Sequence, residues 1–190
     1  MTPNPAALDF LLGRRSRPAK TLAPPVPTRE ELLPILTAAA RSPDHGALEP
    51  WRFLVLERPA LERLAATVRT LGAERGLPAE VIAKGAGQFE LSHLAVVVVH
   101  VPRPTDKIPQ IEQVLSTGAI CLSLLNAALA SGWGASWITG WVSHDPGFQA
   151  RGLGLAKGEW IAGIVHIGTA AAPPDRPRPD LARVVTWVAE

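Results

Sequence analysis

The charged stretch GRRSRPAK, at positions 13–20, contains residue types and a spacing that suggest chemistry. Its cations are Arg14, Arg15, Arg17 and Lys20, and the nearest acidic residue is Asp9. Like charges this close repel each other, which favours a role in binding an anion. Arginine matches phosphate oxygens in pairs. The open interpretations are a nucleic-acid backbone, a membrane surface, an acidic partner, a phosphate on a small ligand, or a solvated basic turn.

A second stretch, ARSPDHGALEPWRF at positions 40–53, joins a predicted helix to a predicted strand. Loops held by a rigid scaffold often carry functional residues, and this one contains Arg41, Asp44 and His45. His45 has two open interpretations: a hydrogen-bonded loop histidine and a residue that contacts a ligand. We expect no metal site, because no second histidine or cysteine stands at ligand spacing.

The third stretch, GWGASWITG at positions 132–140, surrounds a predicted strand with glycines. Glycine lets a ligand approach the backbone closely, while core packing is the simpler interpretation for Trp133 and Trp137. The sequence contains no GxGxxG, GxxxxGK[ST], HExxH or GxSxG motif, and no Ser–His–acid set is evident. We therefore predict no catalytic side chain.

Alternating helices and apolar strands must position these three stretches. We predict helices over 5–14, 28–41, 59–71, 78–90 and 109–131, and a short one that begins at Asp145–Pro146. Strands are predicted over 51–57, 94–101, 134–139 and 160–168, with an edge or partner-crossing strand over 183–188. This alternation predicts one domain over residues 1–190, of the α/β (α+β) class, with helices on both faces of one sheet.

Composition narrows the function classes. The net charge is +2 with a sequence pI of about 9.1, which is too small an excess for a broad nucleic-acid surface. We therefore expect no nucleic-acid partner. One cysteine, Cys121, excludes an intramolecular disulfide and fits a reducing cytoplasm. The N-terminus lacks a basic region followed by an apolar stretch, so we expect no signal peptide.

No charged residue occurs from Gln113 to Ser143. The length of this segment would permit a membrane span, but serines, Asn126 and the SGWG sequence interrupt it. We therefore expect no membrane partner and predict a buried helix followed by a buried strand. A helix that is apolar nearly all round lies in a core or an oligomer interface.

The three stretches, in their order and spacing, resemble the short, minimal branch of the FMN-dependent nitroreductase family. The resemblance covers nearly the whole chain and combines three motifs: the early Arg–Ser turn, an R-x-P-D-H…P-W loop and a W-x-[ST]-G after the long helix. It implies a three-layer α-β-α sandwich with one central mixed sheet, assembled as a homodimer. The long helix would form the dimer core, and the tail, about 170–190, would wrap the partner.

The resemblance also implies FMN as the cofactor, with roles for the residues that match the family motifs. The implied FMN-binding residues are Arg14, Arg15, Ser16, Arg41, His45, Trp137, Ile138 and Thr139. The reaction implied is ping-pong reduction of a nitroaromatic or quinone-like acceptor by NAD(P)H. The flavin carries this chemistry, so no side-chain nucleophile is required.

The chain departs from many relatives at Ala47 and Glu49, where asparagine and glutamine are common. Arg176 and Arg178 are two candidates for a basic C-terminal residue on the phosphate, and the sequence does not choose between them. Two alternatives stay open: a non-enzymatic module that binds a phosphate ligand or nucleic acid, and an FMN enzyme of different chemistry, such as a dehydrogenase or dehalogenase. The physiological acceptor and the choice between NADH and NADPH are not given by the sequence.

Overall fold

The structure, a computed structural model, describes residues 2–172 and 176–189. Four strands form one sheet in the order β1-β2-β4-β3. They are β1 (Trp51–Glu57), β2 (Leu94–His100), β3 (Gly134–Ile138) and β4 (Trp160–Gly168). Every strand predicted over these regions is confirmed, with bounds that differ by at most a residue or so.

Seven α-helices occur in the described part of the chain. They are α1 (Pro5–Gly13), α2 (Arg29–Ala39), α3 (Arg58–Glu74), α4 (Ala79–Glu90), α5 (Gln110–Ala130), α6 (Trp141–His144) and α7 (Leu181–Val184). Helix α2 begins with a capping box, in which the Glu31 N–H donates to Thr28 Oγ1 at 3.2 Å and the Thr28 N–H donates to Glu31 Oε2 at 2.8 Å. The segment from Pro146 is helical as predicted, and it includes a π-helical turn over Phe148–Gly152.

The predicted mixed sheet is wrong, because all three strand pairs of the described sheet are antiparallel. The reason lies in the connections. Two helices, α3 and α4, join β1 to β2, so the chain returns to the sheet running the opposite way. A single helix, α5, joins β2 to β3, which makes those two strands parallel, but β4 lies between them. The result is a split β-α-β unit whose parallel strands are not neighbours.

Helices cover both faces of the sheet, which confirms the three-layer arrangement. On one face, α3 and α4 pack against the sheet around Leu64, Val68 and Phe89, each fully buried. On the other face, α2 and α5 pack around Ile35 and Leu124. Strand β2 is buried along its whole length, as its continuous apolar run predicted.

Helix α5 is the predicted apolar helix, free of charged residues from Gln113 onwards, and it ends just before Gly132, which adopts a φ of 85°. Its length and mean hydropathy of 1.5 are sufficient for a membrane span, but core helices of globular domains meet the same criteria. Seven of its residues are buried against the domain, including Cys121, whose thiol pKa is raised to about 12 by burial. A buried thiol with a raised pKa forms little thiolate, so Cys121 packs as a small apolar side chain.

The C-terminal tail does not form a strand in this chain. The predicted strand over 183–188 overlaps the end of α7, and residues 185–189 continue without regular structure or pairing to the described sheet. Trp187 and Val188 are 91% and 81% exposed. A crossing of this tail to a partner subunit stays a prediction.

Candidate functional site

A basic cleft of about 410 Å³ lies where the loop after α1 meets β3. Five arginines line it, two of them from the C-terminal tail: Arg14, Arg15, Arg17, Arg176 and Arg178. Ser16, Ser136 and Ile138 also reach the cleft. Within the described ranges no carboxylate lines it, so the charge of the arginines is not balanced inside the cleft.

Backbone hydrogen bonds fix the loop that carries these arginines. Helix α1 ends at Gly13, and the Arg14 N–H donates to the Phe10 carbonyl at 2.7 Å. Three residues on, the Arg17 N–H donates to the Ala135 carbonyl of β3 at 2.8 Å. The loop is therefore held against the outer edge of the sheet.

Arg14 brings a buried, unpartnered donor to the cleft. Its Nε is buried and has no hydrogen-bond partner, while its Nη2 donates to Ser16 Oγ at 3.3 Å. Its pKa is lowered, first by burial and then by the charges of Arg178 and Arg15. A buried donor without a partner, surrounded by like charges, is the environment that an anionic acceptor would satisfy.

Arg178 brings the tail into this cleft. Its Nη2 donates to the carbonyls of Leu12 and Arg14, at 3.3 and 3.4 Å. These bonds cap the end of α1 with a cation, which is favourable beside the carbonyl end of a helix. Arg176 and Arg178 both line the cleft, so either can contact an anion there.

An apolar cleft of about 630 Å³ adjoins the basic cleft, and the two share Ala19 and Ile138. Helix α4 forms one wall of the apolar cleft, and the segment after β3 forms the other. The indole of Trp141 lies against Gly85, where any side chain would collide with it, and Trp141 Nε1 donates to the Val81 carbonyl at 3.3 Å. A planar apolar ligand fits such a cleft better than a hydrated one.

The wall from α4 contains residues that the sequence analysis did not identify. Val81, Lys84 and Gln88 line the cleft, and Lys20 lies opposite. The sequence feature that could have identified Val81, Lys84 and Gln88 is their i, i+3, i+7 spacing, which places the three side chains on one face of α4. Lys20 and Lys84 add positive charge to the cleft.

Strand β3 is an edge strand of the sheet formed by the described residues, and its outer edge lies beside both clefts. In an antiparallel pair, alternate residues direct their backbone N–H and C=O groups away from the partner strand. The bond from Arg17 to the Ala135 carbonyl marks Ala135 as one of these residues. Trp137, two positions further on, therefore also directs its backbone N–H and C=O away from β4. These groups are available to a ligand that lies along the edge.

The structure brings together five of the eight predicted binding residues. Arg14, Arg15, Ser16 and Ile138 line the basic cleft, and Thr139 lines the apolar cleft. The Trp137 side chain lies over Gly163 of β4 instead, on the opposite sheet face from Ile138. Its contribution to the edge is through its backbone.

Arg41 and His45 line neither cleft in this chain. Both are exposed, and they belong to the loop between α2 and β1. His45 Nδ1 lies 2.6 Å from Glu112 Oε2 of α5. Their predicted contact with the cofactor stays a prediction.

The fold and the site together define an α+β protein with a basic cleft that adjoins an apolar one. The sequence matches the family model "Nitroreductase family" over residues 11–169. The chain belongs to the nitroreductase family, which confirms the resemblance found in the sequence.

Relatives and solved structures agree with this assignment. The chain is 33% identical over 163 residues to the Escherichia coli K12 protein named "Putative NAD(P)H nitroreductase YdjA", covering 86% of this chain and 87% of that protein. The fold is similar to that of a nitroreductase-like family protein from Bacillus cereus, with a TM-score of 0.80 and 24% identity over the whole of both chains. It is also similar to a Bacteroides fragilis nitroreductase with bound FMN, with a TM-score of 0.71 and 20% identity over 95% of this chain and 97% of that one.

Proposed function

We propose that this protein binds FMN without a covalent bond and uses NAD(P)H to reduce nitroaromatic or quinone-like acceptors. The observation that carries the proposal is the pair of adjoining clefts. One cleft supplies the unpartnered donor of Arg14 among five arginines, and the other is lined mostly by apolar groups. A phosphate on a chain attached to a planar ring system requires both. FMN-bound relatives of the same fold and curated relatives named for NAD(P)H support the assignment.

The residues present fit this cofactor. Arg14, Arg15 and Ser16 would hold the phosphate, with Arg178 or Arg176 completing the anion site. The ring would occupy the apolar cleft beside Ile138. Bound FMN supplies a ring system that accepts and donates a hydride.

The protein's own contribution is to orient ligands and stabilise charge. Outward-facing backbone groups of β3 offer hydrogen bonds at the edge of the cleft, and Lys20 and Lys84 favour a ligand that gains negative charge. The donor and the acceptor would both use the apolar cleft, so they would enter in turn. This supports a ping-pong order of substrates.

We also propose a homodimer in which Arg41 and His45 complete the site of the partner subunit. Large apolar side chains are exposed on α1, on α5 and along the tail: Leu8, Leu11, Leu12, Ile111, Leu115, Leu122, Leu181, Val184, Trp187 and Val188. Exposed apolar surface of this kind is typical of a protein interface. The separation of His45 from both clefts within one chain supports a site shared between subunits. We also propose that the protein is located in the cytoplasm, which its single cysteine fits.

Cofactor content tests the proposal directly. Denatured protein should release FMN that chromatography identifies, and FMN added to apoprotein at 100 times its Kd should stabilise the fold by about 2.7 kcal/mol. For a chain of this size that raises the Tm by about 5–11 °C. Absence of released flavin together with an unchanged Tm would overturn the proposal. A panel of acceptors, followed at the nicotinamide absorbance, would separate a nitroreductase from the dehydrogenase and dehalogenase alternatives.

A further inference from the structure

The loop over 44–49 has an unusual backbone. Gly46, Ala47 and Glu49 have φ values of 75°, 50° and 47°. Residues with a Cβ rarely adopt this left-handed region. They keep it only where the surrounding structure holds them there. Two non-glycine residues in this region, Ala47 and Glu49, within one short loop therefore require support from outside the loop.

Arg103 supplies that support from a different part of the chain. Its Nε donates to the Leu48 and Glu49 carbonyls at 3.1 and 3.2 Å, and its Nη2 donates to the Glu49 carbonyl at 3.0 Å. The planar guanidinium thus holds two successive carbonyls, which a point charge cannot do in the same way. Inside the loop, the Glu49 N–H donates to Asp44 Oδ2 at 2.7 Å.

Arg103 is itself held in place by a buried side chain of α5. Gln113, only 4% exposed, accepts the Arg103 N–H at Oε1 and donates from Nε2 to the Arg103 carbonyl, both at 2.9 Å. The preceding residue on α5, Glu112, contacts His45. The N-terminal end of α5 therefore fixes both the loop and the arginine that supports it.

Ile108 closes the loop from the same side as Arg103. Its side chain lies where a Cβ on Gly46 would stand, so no larger residue fits at position 46 without displacing it. The segments around 44–49 and 103–108 are thereby packed as one unit. The conformation of the His45 loop depends on contacts from outside that loop.

We propose that Arg103 is a positioning residue: it holds the 44–49 loop in its left-handed conformation and so sets the place of His45 in the cofactor site. This inference rests on the proposed function, in which His45 contacts FMN of the partner subunit. Arg103 would act through the loop carbonyls and would not touch the cofactor.

The test compares Arg103→Ala and Arg103→Lys with the wild-type protein. Arg69→Ala is the matched control, because Arg69 is also an exposed arginine, paired with Glu90 between α3 and α4. The first readout is amide hydrogen exchange of residues 44–49 in the apoprotein, which reports local opening. The second is the Kd for FMN. The Tm of each variant establishes that it is folded.

We expect exchange in the loop to be about tenfold faster in Arg103→Ala, and the Kd for FMN to rise about tenfold, as for the loss of one net charge-assisted hydrogen bond. Arg103→Lys keeps the charge and can reach one carbonyl. Its increases in loop exchange and in the Kd for FMN should therefore both be smaller than those of Arg103→Ala. Arg69→Ala should leave both readouts unchanged. If Arg103→Ala does not fold, the same two measurements on Arg103→Lys still test the proposal.

Unchanged loop exchange in both Arg103 variants would overturn the inference, and so would faster exchange with an unchanged Kd for FMN. If the wild-type protein does not bind FMN, the proposed function is wrong. The role of Arg103 in the cofactor site is then wrong as well. The exchange readout distinguishes the two failures, because it needs no cofactor.

Discussion

Replacing Arg14 with alanine should weaken FMN binding without destabilising the apoprotein. Arg14 Nε is a buried donor with no partner, and the nearest charges are those of Arg15 and Arg178. Burial and these cations both lower the pKa of Arg14, which means that the folded apoprotein disfavours its positive charge. The charged Arg14 side chain therefore destabilises the apoprotein, and we expect a bound anion to offset this destabilisation.

The expected loss of FMN affinity follows from the energy of one hydrogen bond between Arg14 and the phosphate. One charge-assisted hydrogen bond contributes about 1.5–3 kcal/mol, which corresponds to an increase in Kd of about 10- to 150-fold. Other arginines remain in the cleft of the variant and would bind part of the phosphate charge. We therefore expect a change of about tenfold, near the lower limit.

Fluorescence titration of apoprotein with FMN and with riboflavin measures the effect. Riboflavin lacks the phosphate, so Arg14→Ala should bind it as the wild type does. Arg29→Ala is the control variant, because Arg29 is highly exposed and pairs only with Glu57, away from the clefts. Equal loss of FMN and riboflavin affinity would refute a phosphate role, and unfolding of the apo variant would show that Arg14 is structural.

Three further predictions concern assembly, kinetics and pH. Light scattering at micromolar concentration should show a dimer, and Leu115→Glu on the exposed face of α5 should weaken it; a soluble wild-type monomer would contradict the proposed interface. Double-reciprocal plots for NAD(P)H at several quinone concentrations should be parallel, and intersecting lines would exclude a ping-pong order. Burial lowers the pKa of the His166 imidazole to about 4 in the folded protein, against about 6.5 in the unfolded chain. The contribution of neutral His166 to the free energy of unfolding should therefore be complete above pH 6.5 and should fall by on the order of 3 kcal/mol as the pH is lowered to 4. Urea unfolding at several pH values measures this decline, which His166→Gln should reduce; an unchanged pH dependence in that variant would refute the assignment.

Much of the fold was predictable because its elements carry strong local signals. The apolar run of β2 and the capping box at Thr28 and Glu31 specify their elements without tertiary information. Strand direction is different. A buried strand looks the same in sequence whether its neighbours are parallel or antiparallel. The one-helix connection makes β2 and β3 parallel, and only the structure shows that β4 lies between them, so that they are not neighbours.

The residues that line the two clefts include several that the sequence motifs name and several that no motif marks. Arg14, Arg15 and Ser16 are adjacent in sequence, and Ile138 and Thr139 follow a recognisable turn of glycines. Lys84 and Gln88 lie on a helix whose pattern is ordinary amphipathicity, so only their packing against the segment after β3 shows that they line a cleft. The tail was assigned as a strand from its β-branched residues, but a strand needs a neighbour, and pairing is a tertiary property.

The free edge of β3 also bears on how the protein is made. An edge strand with outward backbone donors and acceptors is a template on which another chain can add. In this protein the same edge borders the proposed cofactor cleft, and the Arg17 bond to Ala135 protects part of it. A chain that acquires its cofactor early would mask this edge at once. We therefore expect the apoprotein to aggregate more readily than the FMN-bound protein, because this edge stays uncovered until the proposed cofactor binds.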